Sequence, residues 1–268
     1  MGYFSLDIKK AKGTSDNTQS DHIERKIMPK NADPARTHLN RTLVEYPDGV
    51  HGRDEAIAHR LSTAGIKRKI THDQVRVVRV VLSGTHEDMI NIQDNGKLDE
   101  WCSDSIQWLQ ATFGRDNVVA AHLHMDEKTP HIHAAVVPIV TGERRKAKKE
   151  QEDGKRKYRK KKTSVRLCAD DLFNRQTLIA YHDNYARVMA KYGLQRGVRG
   201  SEARHTTTTQ YYRDMKKKNE ALETETRLLQ EKKTEAQEEL KQVKAEIRTD
   251  KLKCAATDTA TALASSVG

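Results

Sequence analysis

Asn117-Val-Val-Ala-Ala-His-Leu-His124-Met125, Asp126-Glu-Lys-Thr-Pro130 and His131-Ile-His133-Ala-Ala-Val-Val-Pro-Ile-Val140 follow one another directly, and their reading decides the fold. Two apolar stretches, Asn117 to Met125 and Ile132 to Val140, flank the polar connector Asp-Glu-Lys-Thr-Pro, which reads as a hairpin or a tight strand connection. Upstream, Val75 to Leu82 (Val-Arg-Val-Val-Arg-Val-Val-Leu) is the strongest β signal in the chain and is expected to be central. Tyr3 to Ile8 alternates as a short strand and gives way to a Gly/Ser/Asp/Asn stretch from Gly13 to Asp21. Between these strands, Leu98, Trp101, Cys102, Ile106, Leu109 and Phe113 recur at three- and four-residue intervals, an amphipathic helix that Gly114 closes. A second helix is expected over Ala169 to Tyr192, ending at Gly193. The order strand, helix, strand, strand, helix predicts an α+β domain with a largely antiparallel sheet flanked by helices.

Beyond this domain, expected over residues 1–206, the pattern changes. Tyr211 to Lys253 contains neither Pro nor Gly, and Met215, Leu222, Leu229, Ala236 and Val243 recur every seven residues. Leu240 and Ile247 fill the complementary positions, whereas Asn219, Thr226 and Lys233 leave them polar, so the seam has a weak first half. A long helix over 207–253 follows, either pairing as a coiled-coil homodimer or returning onto the domain. The tail 254–268, rich in Ala, Thr and Ser, is expected to be disordered.

The formal charge of +11 is concentrated in Thr141 to Thr163, a basic loop with twelve Lys/Arg, Lys160, Lys161 and Lys162 among them, against four acids. Such a segment cannot bury itself, and it is what phosphate contacts require, although a solvated charge run would look the same. No apolar run approaches the roughly 20 residues of a membrane span, and the N-terminus has no apolar signal-peptide core, so a cytoplasmic protein with no membrane span is expected. Cys102, Cys168 and Cys254 lie far apart without CxxC spacing and read as free thiols.

Four of the twelve histidines fall between His122 and His133. Side chains at i and i+2 of a strand share a face, so His131 and His133 present two imidazoles together, and His124 on the neighbouring strand can face them. Three neutral imidazoles with open positions describe a catalytic metal site, and imidazole accepts Mn, Zn, Ni, Co and other divalent ions. His122 is left as a fourth ligand or a supporting group. Asp126 and Glu127, in the turn, can orient a ligand or act in acid–base chemistry.

These residues carry a resemblance. His-x-Asp-Glu-x-Thr-Pro-His-x-His, His124 to His133, resembles the signature of the MobV (Mob/Pre) family of plasmid mobilisation relaxases within the HUH endonuclease group. His22-Ile-Glu24-Arg25 with Arg36-Thr-His38-Leu-Asn40 is similar to that family's N-terminal motif, and Gly193 to Gly197 with Gly200, Ser201 and His205 is a weaker third match. The resemblance spans roughly residues 1–212 and implies an HUH relaxase-like fold. It also implies a divalent metal, Mn or Mg first and Zn, Ni or Co otherwise, held by His124, His131 and His133. The implied reaction nicks one DNA strand at an origin of transfer, single-stranded or in supercoiled DNA, for conjugative mobilisation with the conjugation machinery, leaving a covalent 5′-phosphoryl enzyme. His22 stands at the family's nucleophile position, with Tyr3 and Tyr46 as alternatives. Arg25 would hold phosphate, Glu24 or Glu127 would fix the His22 tautomer, and Arg36, His38, Asn40, Arg41, Lys160, Lys161, Lys162 and His205 would contact DNA. Many relatives carry Tyr directly after His-Leu-Asn, where this chain has Arg41. Two rival readings stand beside it: a metal-dependent hydrolase with Glu127 as base, and a non-enzymatic basic DNA-binding coiled-coil protein.

Overall fold

In the computed structural model of the chain, which describes residues 2–13, 16–142, 164–198 and 208–265, the predicted connection is a hairpin. Strands β1 (Gly2–Lys12), β2 (Arg41–Val44), β3 (Val75–Gly84), β4 (Val118–His124) and β5 (His131–Val136) are followed by β6 (Ile139–Gly142), β7 (Ser164–Leu167) and β8 (Leu194–Gln195). The main sheet has the order β2-β4-β5-β3-β1-β8, and every neighbouring pair is antiparallel except β1 with β8. β6 and β7 form a separate antiparallel pair. The helices are α1 (Asn17–Ile23), α2 (Arg53–Thr63), α3 (His86–Asp94), α4 (Leu98–Phe113), α5 (Ala169–Leu172), α6 (Arg175–Met189) and α7 (Thr208–Ser265). Residues 1–200 and 201–268 are two separate units.

Alternation along the strands sorts the sheet into two faces. Val78, Val80, Leu82, Leu123, Ile132, Ala134 and Val136 point into the larger core, where Met89 and Ile92 of α3, Trp101 and Leu109 of α4, and Tyr185 and Met189 of α6 cover them. The intervening Val77, Ala120 and Ala135 pack with Ala56 and Ile57 of α2 on the opposite face. His124 lies opposite His131 and His122 opposite His133, so all four histidines share the α2 side of the hairpin, between a filled core and a polar surface.

Several expectations need correction. The strand expected over Ile132 to Val140 stops at Val136 and restarts at Ile139, because Pro138 has no N–H for the ladder and the Val137 amide turns to the Asn117 carbonyl (2.8 Å). The first strand runs to Lys12, and part of the Gly13–Asp21 stretch is helical, as α1. The helix expected over Ala169 to Tyr192 breaks at Phe173 and Asn174. There the Asn174 side chain accepts from the Gln176 and Thr177 amides while Thr177 Oγ1 accepts from the Asn174 amide, a capping box that starts a new helix. Gly193, at φ 74°, ends it in the left-handed region that glycine tolerates. The tail expected to be disordered from residue 254 is helical up to Ser265.

α1 is fixed at both ends to the start of α2. Arg53, the first residue of α2 and 1% exposed, donates from Nη1 to Asp16 Oδ2 (2.7 Å) and Ser20 Oγ (3.0 Å). Arg79 of β3 also pairs with Asp16, and the Asp16 amide donates to Asp54 Oδ1 (2.8 Å). At the other end of α1, the Arg53 amide donates to Glu24 Oε1 (2.6 Å). These contacts determine where His22, on the last turn of α1, sits above the sheet.

Candidate metal centre and active site

His124, His131 and His133 each present one ring nitrogen, and the three nitrogens lie within 4.8 Å of one another. Two of the rings are oriented by backbone carbonyls. His124 Nε2 donates to the Ile23 carbonyl (2.9 Å) and His131 Nδ1 to the Thr129 carbonyl (2.8 Å), leaving His124 Nδ1 and His131 Nε2 as lone-pair donors. His131 Nε2 and His133 Nε2 are 3.0 Å apart. Two imidazole nitrogens held at about 2.1 Å from one ion, at right angles, would have this spacing. Burial lowers the pKa of both His131 and His133, His133 strongly, which favours the neutral form a ligand needs. The donor set therefore fits a divalent ion.

His22 faces this cluster from α1. Its ring centroid is 6.1 Å from that of His133 and 6.5 Å from that of His124. Burial, then the neighbouring Arg25 cation, lowers its pKa, so the ring carries a lone pair at neutral pH. Four imidazoles thus converge from three segments separated by up to about a hundred residues of sequence.

Arg25 is placed differently from its expected role. It is the only non-glycine residue with positive φ among the described residues, at 57°, and its side chain is 6% exposed. Nε and Nη2 grip both oxygens of Asp126 (2.8 and 2.6 Å), Nη2 also reaches Glu127 Oε1 (2.8 Å) and His124 Nδ1 (3.0 Å), and Nη1 donates to the His22 carbonyl (2.9 Å). A guanidinium so committed organises the site from beneath. Asp126 is its anchor: burial alone would raise its pKa, but Arg25 and Asn40 hold it well below the usual carboxylate range. Glu127 accepts from Arg25 and from Asn31 Nδ2 (2.7 Å). Burial pushes its carboxyl up, and the His124 and His131 rings with Arg25 outweigh that and hold it at about 2.

The other predicted residues separate into two groups. Asn40 uses both ends of its amide on the turn, donating to Asp126 Oδ2 (2.8 Å) and accepting from the Met125 amide (2.7 Å). Thr37 Oγ1 donates to the same Asp126 oxygen (3.2 Å). Arg36 is half-buried, while His38 and Arg41 are exposed, with Arg41 paired to Asp99. Glu24 serves the start of α2 and Tyr46, whose hydroxyl donates to Glu24 Oε1 (2.8 Å). Of the two carboxylates expected to serve His22, Glu24 thus has its Oε1 on Tyr46 and the Arg53 amide. His122 Nε2 in turn donates to the Tyr46 oxygen (2.9 Å), which excludes a tautomer with a free Nε2 lone pair. Burial, then hydrogen bonding to Glu24, raises the Tyr46 pKa and makes its phenol a poor nucleophile. Tyr3 lies on β1, 43% exposed. Lys160, Lys161, Lys162 and His205 lie outside the described residues. An open groove of about 410 Å³ beside the cluster is lined by Arg25, Lys26, Arg41, Tyr46 and His122, among others. Sequence reading missed Thr37, Asn31, Asp16 and Arg53; none of them stands in a spacing that reports its distant partner.

A family profile described as plasmid recombination enzyme (Mob_Pre) matches residues 1–213. Among curated relatives, a 65 kDa protein of Zymomonas mobilis is 28% identical over 215 residues, covering 80% of this chain and 32% of the relative. A plasmid recombination enzyme of Streptococcus agalactiae is 26% identical over 231 residues, covering 83% of this chain and 42% of that protein. The chain therefore spans less than half the length of these relatives. Among solved structures, the fold matches the MobM relaxase domain (MOBV; Mob_Pre), solved Mn-bound with plasmid pMV158 oriT DNA. The TM-score is 0.63 at 24% identity, covering 79% of this chain and 99% of that one.

Proposed function

Because this chain belongs to the Mob_Pre family of plasmid recombination enzymes, we propose that it is a metal-dependent DNA relaxase that nicks one strand at the origin of transfer of a plasmid or mobile element. The observation that carries this reading is the neutral His22 ring facing the three-histidine cluster, 6.1 Å from His133. His124, His131 and His133 would hold the ion, and the Mn-bound MobM relaxase domain supports manganese, with magnesium, zinc, nickel and cobalt as other candidates. A bound divalent cation supplies Lewis acidity at the scissile phosphate and neutralises charge developing on its oxygens. His22 attacks phosphorus through a ring nitrogen lone pair: an N–P bond forms, the P–O3′ bond breaks with its electron pair to the 3′ oxygen, and the proton released by the other ring nitrogen as the phosphoramidate forms balances the one that oxygen takes up, by way of solvent, to become the free 3′-hydroxyl. The phosphoramidate keeps the 5′ end covalent, so the strand can be rejoined without ATP. Arg25, with Asp126 beneath it and Glu127 beside it, positions His22 through its carbonyl.

Arg36, His38 and Arg41 at the rim, Lys160, Lys161 and Lys162 of the basic loop, and His205 supply DNA contacts in this reading. The protein acts in the bacterial cytoplasm with the conjugation machinery, as a homodimer through its C-terminal helix. No helix among the described residues is long and apolar enough to cross a membrane. A hydrolase using Glu127 as base is disfavoured, because a carboxylate held at about 2 by Arg25 and two imidazoles takes up a proton poorly at neutral pH.

The test incubates the protein with supercoiled DNA carrying its own origin and Mn. A covalent adduct mapped to the His22 peptide, labile in acid and resistant to base, is expected. His22→Ala should bind the DNA and form no adduct. Attachment to a tyrosine peptide would overturn the His22 assignment, and release of product without any adduct under single-turnover conditions would overturn the relaxase reading.

A further inference from the structure

We propose that Tyr3 and Gln195 form a stacking subsite for one unpaired base of the origin strand, on the sheet face that carries the metal centre; this rests on the relaxase reading and adds a DNA contact beyond the scissile phosphate. His133 of β5 lies opposite Val81 of β3, and Val81 opposite Asp7 of β1, so one row of side chains crosses from the histidine cluster to β1. Side chains two residues apart on a strand share a face, which puts Tyr3 and Ser5 on that face with Asp7. Phe4 and Leu6, between them, are buried in the larger core. On the far side of β1, Tyr3 is the register partner of Gln195 in β8. Leu194 is buried in the larger core, so alternation places the Gln195 amide on the histidine face beside Tyr3. Tyr3, Ser5 and Gln195 are all exposed. Two strand spacings, roughly 10 Å, separate β5 from β1, a span within reach of the nucleotides next to a metal-held phosphate.

Tyr3 differs from the other tyrosines described in the domain. Tyr46, Tyr181, Tyr185 and Tyr192 pack their rings and place their hydroxyls against Glu24 (2.8 Å), the Leu172 carbonyl (2.7 Å), Ser105 (3.0 Å) and Asp104 (2.6 Å). Tyr3 is 43% exposed, and among the described residues its hydroxyl has no hydrogen-bond partner and its ring no aromatic neighbour. A free aromatic face accepts any base by stacking, because every base has a π-face of its own. The Gln195 amide offers a donor and an acceptor together to the edge of a stacked base, which adds a preference for one base over the others. Asp7, on the same face, is paired with Lys9 (3.2 Å), so its charge does not stand alone against the phosphates of a strand crossing the sheet.

The test reads fluorescence anisotropy of the full chain with Mn and a labelled single strand spanning its own origin. A companion set of strands carries one abasic site at each position around the nick in turn. Tyr3→Ala should weaken binding of the intact strand about tenfold. The parent should lose a similar factor at one abasic position, and Tyr3→Ala should lose nothing further there, because the stacking partner is already gone. Tyr3→Phe, which keeps the ring, should retain both the affinity and the abasic sensitivity. Gln195→Ala should weaken binding about fivefold and erase the base preference at that same position. Parental affinity in Tyr3→Ala would overturn the subsite, and so would a loss that adds to the abasic loss at every position or that Tyr3→Phe fails to restore. A parent that binds no origin strand and forms no adduct would instead overturn the relaxase reading, which a failure confined to the Tyr3 variants leaves standing.

Discussion

Arg25 combines two unfavourable features, a left-handed backbone costing about 1 kcal/mol and a buried cation, and it persists because its guanidinium holds together the residues around the site. Arg25→Ala would leave Asp126, 0% exposed in its side chain, and Glu127, 15% exposed, without their cation, and should cost about 3 kcal/mol or more in urea unfolding. Arg25→Lys should not rescue it, because an ammonium cannot bridge both Asp126 oxygens and the His22 carbonyl at once. A loss below about 1 kcal/mol for Arg25→Ala would mean that the carboxylates find other partners. The three ligand histidines make a separate prediction. Single replacement of His124, His131 or His133 by Ala should abolish metal binding, read by calorimetry with Mn, together with nicking, since three ligands leave no redundancy. Metal bound at parental affinity by any one of these variants would remove that residue from the site.

At the scale of elements, α1 is a seven-residue helix too short to be stable alone, and its contacts with α2 and β3 give it a fixed place. Arg53→Met removes one of the two cations on Asp16. It should cost about 2–3 kcal/mol, less than a fully stranded charge because Arg79 remains. The variant should lose adduct formation in single-turnover assays more than affinity for origin DNA in gel shifts, since His22 rides on α1 and the basic surface is untouched. Equal losses in both would mean that Arg53 supports the whole domain and not the placement of α1. The β4–β5 hairpin, by contrast, needs no such fastening. Its ladder is central in the sheet and its alternate side chains are buried in the larger core, so all three ligands stand on strands held by the core.

At the scale of the whole molecule, a charge of +11 with twelve cations in one segment predicts DNA affinity that falls steeply with salt. Replacing Lys160, Lys161 and Lys162 by Gln should lower the log–log salt slope by up to about 3 while leaving the nick position unchanged, since phosphate contacts position a protein and base contacts select sequence. An unchanged slope would return the segment to a solubilising role. The hairpin, the central strand, the α4 helix with its terminal glycine and the heptad helix were legible in the sequence, because each is set by a local periodicity that burial on one face imposes. The pairing of His131 with His133 was legible for the same reason, a two-residue repeat being all it needs. Weakly apolar α2, with Ala56, Ile57 and Leu61 among charges, and short α1 gave no comparable signal. Only tertiary structure decided that Arg25 lies buried against Asp126, that Asn40 closes the turn, that Glu24 serves α2 and that His22 faces the cluster. Each of these depends on contacts between residues roughly 30 to 100 positions apart, whose partners are selected by the sheet order and not by spacing along the chain.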